Sequence, residues 1–570
     1  MAETAGAETT AAAAHRAEVP EVRGALGQRL VRAGKLTAVQ LEYALQKQAV
    51  SDTPLGRILV QLGLVTEADV AMLLAEQRDI PFMAPDRLPR PHEELLDRLP
   101  REVCLNNGFL PLEVEQGVLS LALGDGLPDR VADIVRRRLG MQCRMVQSEF
   151  TPIQQLVRHH YYFAQNPVDE LIRREVRSLM SDVDRTRAPE RLLEYILHLA
   201  VRDRGTDIHI DPAPGSYHLL VRVDGVLRPV FALSADLARL LVYIKIQAEL
   251  DISEQRKPQD GSFRAVVLEQ PHTIRVSTLI TEHGERMVLR LLPERVDLAR
   301  LEQLGFLEQD VGMLRRMFSK PSGMVLMTGP TGSGKSTTLH AALRLQALIE
   351  RNVLTVEDPI EYRLPTICQT EVNRRAGYDF NVALRHFLRH DPDVILVGEI
   401  RDPETAQAAV VASATGHLVL STLHVGSVFG VVPRLVPMGL RPDIIADNLL
   451  GVVNQRLLRR NCPFCSEPEE RSDAIDRFLG EGTPADLMRG KGCDRCGGSG
   501  YLGRMPLYEI LDIDEALAAK IAEAASRHGL MEAAHERGFR PMIELARTRV
   551  AKGQTTMDEV VRVLGEGDAR

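Results

Sequence analysis

Residues Gly329 to Ser336 read GPTGSGKS and satisfy the pattern GxxxxGK[ST]. In such a loop the glycines let backbone amides wrap a phosphate chain. The lysine reaches the β- and γ-phosphates, and the hydroxyl after it ligates Mg²⁺. Those places are held here by Gly329, Pro330, Thr331, Gly332, Ser333, Gly334, Lys335 and Ser336, with Thr337 following. The apolar MVLMT before the loop reads as a strand, and STTLHAALRLQALI after it begins a helix. A glycine-rich turn that matched by chance would lack these flanks, and the helix start adds amide donors and a positive dipole end. The expected ligand is a nucleoside triphosphate with Mg²⁺.

Two acidic strands follow. VILV (Val394 to Val397) leads into Gly398 and Glu399, so glycine stands where a second phosphate-site strand usually ends in Asp. That weakens direct Mg²⁺ ligation from this strand and makes Glu399 the group to orient or deprotonate the attacking water. Glu357, ending VLTVE, would add a carboxylate near Mg²⁺ or the water. Glu361 would do the same or stand solvated on its loop. His417 and His424 flank another short apolar strand. A lone histidine is more often structural; two here suit sensing of the γ-phosphate and coupling its loss to movement.

A third constellation is CPFC (Cys462 to Cys465) and CDRC (Cys493 to Cys496), 27 residues apart. Two CxxC knuckles can place four thiolates around a structural Zn²⁺, with no position left open for water. The gap is longer than that of a compact ribbon, and redox pairs or free thiols are the other readings. The seven cysteines are an odd number, which argues against a disulfide framework.

The elements that must position these groups are legible more coarsely. The 570 residues suggest three or four domains. Composition is that of a globular protein, 44% hydrophobic and 26% charged, and the net charge of -8 lacks a nucleic-acid footprint. No apolar run is long enough to span a bilayer. The Ala/Thr-rich start has neither a basic region nor an apolar core for a signal peptide, so residues 1–20 are expected to be a disordered tail. Residues 21–80 hold a tandem repeat, Leu26 to Gln48 and Leu55 to Gln77, with a 29-residue period. Each unit reads as a helix, a Gly turn and a Thr-capped second helix. Leu41, Leu45 and Gln48, and again Val70, Leu74 and Gln77, share one helix face. Residues 81–163 read as a small α/β module with a hairpin at Phe109 to Leu123 and a Gly-terminated helix at Val131 to Gly140. A linker is expected at 164–189, strand patterns at 190–300, strand–helix alternation from 301, and helices after Asp512.

VEDPIEY, DPDVILVGEIRD and TGHLVLSTLH, in this order after the phosphate loop, resemble the secretion-superfamily ATPases, the hexameric motors of type II secretion and type IV pilus assembly. They match that family's acidic box, its Walker B with Gly in place of Asp, and its histidine box. GTDIHIDP, VRVDGVL, PQDGSF and RVSTLITEHGERMVLRLL resemble its preceding domain, whose arginines close over the nucleotide; the matching positions are Arg222, Arg275 and Arg290. GGSGYLGRMPLYE resembles the segment after the family's second cysteine pair; assembly and secretion motors carry this four-cysteine insertion, and retraction motors generally lack it. Two departures stand out: Ser262 replaces an Arg, and Val425-Gly426 replace a polar pair. The tandem repeat resembles the cyclic-di-GMP-binding domain of some members. Matching positions are Leu26, Gly27, Leu30, Val31, Gly34, Leu41, Leu45 and Gln48, then Leu55, Gly56, Leu59, Val60, Gly63, Val70, Leu74 and Gln77. Ala25 replaces that domain's first Arg, for which Arg29 or Arg57 would have to substitute.

The resemblance implies a multidomain α/β chain: a RecA-like ATPase core at 301–570 with a zinc insertion near 460–500, an α+β (PAS-like), arginine-supplying domain at 190–300, and the smaller modules ahead of them. It further implies a cytoplasmic homo-hexamer using ATP, Mg²⁺ and Zn²⁺, held at the inner membrane by a platform protein and the cytoplasmic domain of another inner-membrane component. No nucleic acid is expected. Competing classes are a nucleic-acid translocase, a non-hydrolysing nucleotide-binding scaffold, and a secretion motor without second-messenger binding.

Overall fold

The computed structural model describes residues 25–180, 187–234, 237–294, 300–346 and 349–566; the expected tail at 1–20 lies outside them. The tandem repeat folds as four helices, Ala25–Arg32, Ala38–Ala49, Leu55–Gln61 and Glu67–Arg78. Thr37 and Thr66 each cap the second helix of their unit through a capping box, closed by Gln40 and Asp69. The two units embrace symmetrically. A Cβ on Gly27 would lie 2.4 Å from Leu41 and 3.3 Å from Leu55, and one on Gly56 3.0 Å from Val70 and 3.3 Å from Leu26. The repeated glycines are therefore helix-contact residues.

Next comes a three-stranded sheet, Phe109–Glu115, Val118–Leu123 and Gln142–Gln147. Its hairpin turns at Gln116 and Gly117, both at positive φ, as a two-residue loop with right-handed strand twist requires. The helix Pro128–Leu139 ends on left-handed Gly140. The segment read as a linker departs from expectation. It carries the helix Val168–Met180, whose Val168, Ile172 and Leu179 are buried in the core of the following domain. Apolar residues at those intervals form one helical stripe, which the surrounding charge obscures.

That domain is a six-stranded antiparallel sheet in the order Val226–Ser234, Ser216–Val223, Gly205–Ala213, Gly284–Pro293, Gln270–Thr281, Gln259–Val267. One face, with Ile208, Ile210, Val221, Ile274, Val276 and Leu289, packs on the helix Ala188–Arg202. The other is polar, the alternation expected of a sheet with one buried face.

The last domain is a seven-stranded sheet in the order Cys368–Glu371, Val353–Glu357, Val394–Val397, Leu418–Leu423, Gly323–Thr328, Leu449–Asn461, Tyr501–Asp512, parallel but for the final pair. Four of these strands are entirely buried, which explains their unbroken apolar runs. Among the described residues four helices follow between Glu515 and Leu564. The tandem repeat shares this domain's core rather than standing apart. Arg300 clamps it, donating to Asp69 at 2.7 Å and to the Lys35 and Leu64 carbonyls at 3.1 and 3.3 Å.

Candidate active site

Because the central strands are parallel, their carboxyl ends open on one edge, and the loops there collect the predicted groups. The loop after Thr328 passes so close to the strand Leu449–Asn461 that a Cβ on Gly329 would sit 2.2 Å from the Gln455 carbonyl. Gln455 also braces the loop with its side chain, donating to Ser333 O at 2.9 Å and accepting from the Thr338 hydroxyl at 2.9 Å. Lys335 starts the helix Lys335–Leu343 and turns back to donate to Gly329 O and Pro330 O, each at 2.9 Å. Burial pushes its pKa down, against the charges of Glu399 and Glu361. A desolvated ammonium held only by loop carbonyls is poised for phosphate oxygens.

Glu399 follows the strand Val394–Val397 and is 9% exposed. It pairs with Arg401, and its other oxygen lies 3.3 Å from His424 Nε2. Gly398 has little room for a side chain: a Cβ would meet Val356 O at 3.3 Å and Glu357 Cα at 3.4 Å. Close strand contact is thus a local reason for glycine where Asp is usual.

Glu357 is drawn inward. One oxygen accepts from Thr355 at 2.8 Å and Gln369 at 3.0 Å, and the other lies 3.3 Å from His340 Nε2. Burial alone would raise its pKa, but these partners hold it below the usual carboxylate range. His340 Nδ1 lies 2.8 Å from Ser336 O. Nε2 makes no well-formed hydrogen bond, so its tie to Glu357 is electrostatic. Burial disfavours a charged ring, Glu357 favours it, and the net pKa is raised. The pair pins the helix under Ser336 to the acidic strand.

The two histidines do not meet. His424 follows the carboxyl end of Leu418–Leu423, beside Glu399. His417 precedes the amino end, where its carbonyl accepts from Gly323 at 3.1 Å and its ring from the helix end lies 2.8 Å from Ala412 O. A six-residue strand separates them by about 20 Å, so the structure brings His424, and not His417, beside Glu399.

The three arginines sit in one cross-strand row of the antiparallel sheet: Arg222 opposite Asp207, Asp207 opposite Arg290, Arg290 opposite Arg275, and Arg275 opposite Ser262. Directly opposed residues share a face. Asp207 holds Arg290 at 2.8 Å and Arg222 at 3.9 Å. Arg275 is pushed down mainly by burial, with Arg290 adding, while Glu371, Glu361 and Asp358 of the core oppose the shift. Core carboxylates thus act electrostatically on Arg275, and Ser262 occupies the end of its row.

The four cysteine sulfurs lie within 4.8 Å of one another, with Cys462–Cys493 at 3.8 Å, Cys465–Cys496 at 3.9 Å and Cys493–Cys496 at 3.8 Å. Sulfurs at about 2.3 Å from one ion in tetrahedral array stand roughly 3.8 Å apart, so the donor set fits Zn²⁺. Backbone amides of Cys493 and Gly500 point at Cys496 Sγ at 3.1 and 3.3 Å, as a metal-bound thiolate favours.

Among the repeat positions, Leu30, Leu55 and Leu59 are buried in the helical packing. Gln48 reaches the Thr53 carbonyl at 3.4 Å. Leu26, Gly56, Val60, Gly63, Val70 and Leu74 instead line a cavity of about 2420 Å³. Arg57 is engaged with Asp125 and lies 3.9 Å over the Phe150 ring, whereas Arg29 is exposed.

His340, Gln455, Arg401 and Tyr362, whose hydroxyl lies 3.2 Å from that of Thr337, escaped sequence reasoning. His340 had a signal, since it lies four residues after Ser336 on one helix face. Gln455 had none, because it arrives on a strand more than 100 residues away.

The sequence profile described as "Type II/IV secretion system protein" matches residues 183–562, and that of the "MshEN domain" matches residues 78–167. Type II secretion system protein E of Pseudomonas aeruginosa is 45% identical over 380 residues, 66% of this chain and 75% of that protein. Type II secretion system ATPase E of Vibrio cholerae is 44% identical over 381 residues, with 66% and 75% covered. The type IV pilus assembly ATPase PilB of Thermus thermophilus is 36% identical over 526 residues, 88% of this chain and 58% of that protein.

Proposed function

The chain belongs to the type II/IV secretion system protein family, and on that premise we propose that it is an ATP-hydrolysing motor powering assembly of a type IV pilus or a secretion pseudopilus. The observation carrying this reading is the convergence of Lys335, Glu399 and His424 on one sheet edge, with Arg275 of the second domain within electrostatic reach of the core carboxylates Glu371, Glu361 and Asp358. Lys335 and the loop amides bind the phosphates. Ser336, in the first turn of the same helix, would hold Mg²⁺, which when bound neutralises charge on the β- and γ-oxygens. Glu399 orients the attacking water and accepts its proton, and Arg401 and His424 fix the carboxylate. Arg275 supplies the charge that stabilises the transferring phosphoryl group as the two domains close, with Arg290 and Arg222 held in line by Asp207. Glu357 acts through His340. His424, sharing Glu399 with the water site, reports loss of the γ-phosphate. His417, at the far edge of the sheet, has a bracing role.

The names of the relatives support both export systems. Secretion ATPases match more closely, 45% and 44% identical over 66% of the chain, whereas the pilus ATPase matches along 88% of it at 36%. The acting assembly is a homo-hexamer bound to an inner-membrane platform protein and to the cytoplasmic domain of another inner-membrane component. Among the described residues no helix is long and apolar enough to cross a membrane. The four cysteines hold a structural Zn²⁺. The tandem repeat with the MshEN-like module binds cyclic-di-GMP, and Arg57, which lines the same cavity as the repeat positions, is better placed than Arg29 to substitute for the missing first arginine.

Purified protein should hydrolyse ATP with Mg²⁺, and Lys335→Ala should abolish turnover; full activity in that variant would sink the assignment. Calorimetry with cyclic-di-GMP on the full chain tests the regulatory reading, which the absence of heat at high ligand concentration would overturn while leaving the motor reading intact.

A further inference from the structure

The second cysteine knuckle touches more than its own loop. Arg495, between Cys493 and Cys496, donates to the Leu88 carbonyl of the MshEN-like module at 2.7 Å. Its guanidinium is held 3.8 Å over the Phe464 ring, between the first two cysteines. Arg460, just before Cys462, pairs with Asp86 of the same module at 2.6 Å. On its other side the knuckle meets the antiparallel sheet. Arg228 donates to Cys496 O and Gly497 O, both at 3.4 Å. A Cβ on Gly497 would approach Arg228 Nη1 to 3.1 Å, and its φ is positive. Asp224 accepts from the Gly503 amide at 3.3 Å.

Asp224 and Gly225 form the turn of the hairpin that carries Arg222, both at positive φ, and Arg222 donates to Gly225 O at 3.2 Å. One loop thus contacts the MshEN-like module and the turn beside a row arginine. The chain separations, 407 residues for Arg495 to Leu88 and 268 for Arg228 to Cys496, mean that local structure cannot supply these contacts. The carbonyls that Arg228 uses lie in the backbone that the cysteines fold. Without a fixed knuckle those acceptors have no set position.

We propose that the four-cysteine knuckle is an interdomain docking hub, whose partners are the 85–90 segment of the MshEN-like module and the 224–228 hairpin turn of the arginine-bearing sheet. This extends the zinc reading above, since the metal-fixed loop presents the acceptors. Signals from the N-terminal module then have a covalently short route, through residues 460–503, to the hairpin of Arg222.

The test is hydrogen exchange on the full-length protein, with zinc content measured in parallel. Zinc chelation should speed exchange about tenfold in both 85–90 and 224–228. Arg495→Ala and Arg460→Ala should do so in 85–90 alone, and Arg228→Ala in 224–228 alone, each variant keeping its zinc. Arg460 lies on the strand outside the knuckle, so its variant remains decisive if Arg495→Ala unfolds the loop. Wild-type exchange in both segments throughout would overturn the hub. A purified chain without zinc would remove the zinc reading, and the arginine variants would still decide the docking.

Discussion

The parallel sheet of the core and the antiparallel sheet ahead of it deliver functional groups in opposite ways. In the core, Lys335, Glu399 and His424 stand just beyond strand ends, and sharing one edge is a consequence of parallel strands. In the antiparallel sheet, Arg222, Arg290 and Arg275 stand within strands, and register alone aligns them. A strand-end group depends on its loop and tolerates a change elsewhere. A mid-strand group depends on every pairing between it and its neighbours, because a slip of one residue turns it to the opposite face.

That contrast can be broken most severely in the core. Glu399→Gln keeps size and hydrogen bonding but not basicity, and should cut kcat by about 10³–10⁴ with ATP binding retained. Single-turnover kinetics with a nucleotide-binding measurement would check it, and a loss confined to binding would contradict the role. Arg275→Ala should cost about 10³ in kcat, more than Arg290→Ala, whose side chain is 56% exposed and tied to Asp207. Equal losses would mean that the row acts as a unit. Next, His424→Ala should lower ATPase activity by about 10²-fold, while His417→Ala should leave hydrolysis by a protomer nearly intact, being at the other sheet edge. Comparable defects would show that His417 reaches a site in a neighbouring subunit.

The smallest effect concerns acid. Burial raises the Asp207 pKa, but bonds from Arg290 and Thr206 and the charges of Arg290 and Arg222 bring it below its ordinary value. A depressed carboxylate stabilises the fold above the ordinary value and loses that contribution as pH falls through the depressed one. The difference in Tm between the wild type and Asp207→Asn should therefore be full near pH 7 and shrink on acidification below about pH 4. A difference that is constant with pH would remove Asp207 as the clamp of the row.

Legibility differed between the two sheets for the same reason. The phosphate loop is contiguous and flanked by a strand and a helix, so residues 324–343 announced themselves. The fully buried strands were visible as apolar runs, and the Thr caps and Gly turns of the tandem repeat as local chemistry. The helix at 168–180 was missed because its buried stripe is narrow within a charged segment. The inward turn of Glu357 was missed because its partners His340 and Gln369 come from two other elements.

What the sequence by itself determined is the chemistry on offer: a phosphate loop, a carboxylate after a buried strand, a tetrathiolate set and three arginines in a strand-rich segment. These depend on residue types at short spacing, where local geometry dominates. Only the tertiary structure decided which of the two histidines stands beside Glu399, that the arginines form one row, and that the cysteine knuckle touches two other domains. Those relations join residues up to 407 positions apart, and they are set by sheet order and register, to which no short window of sequence has access.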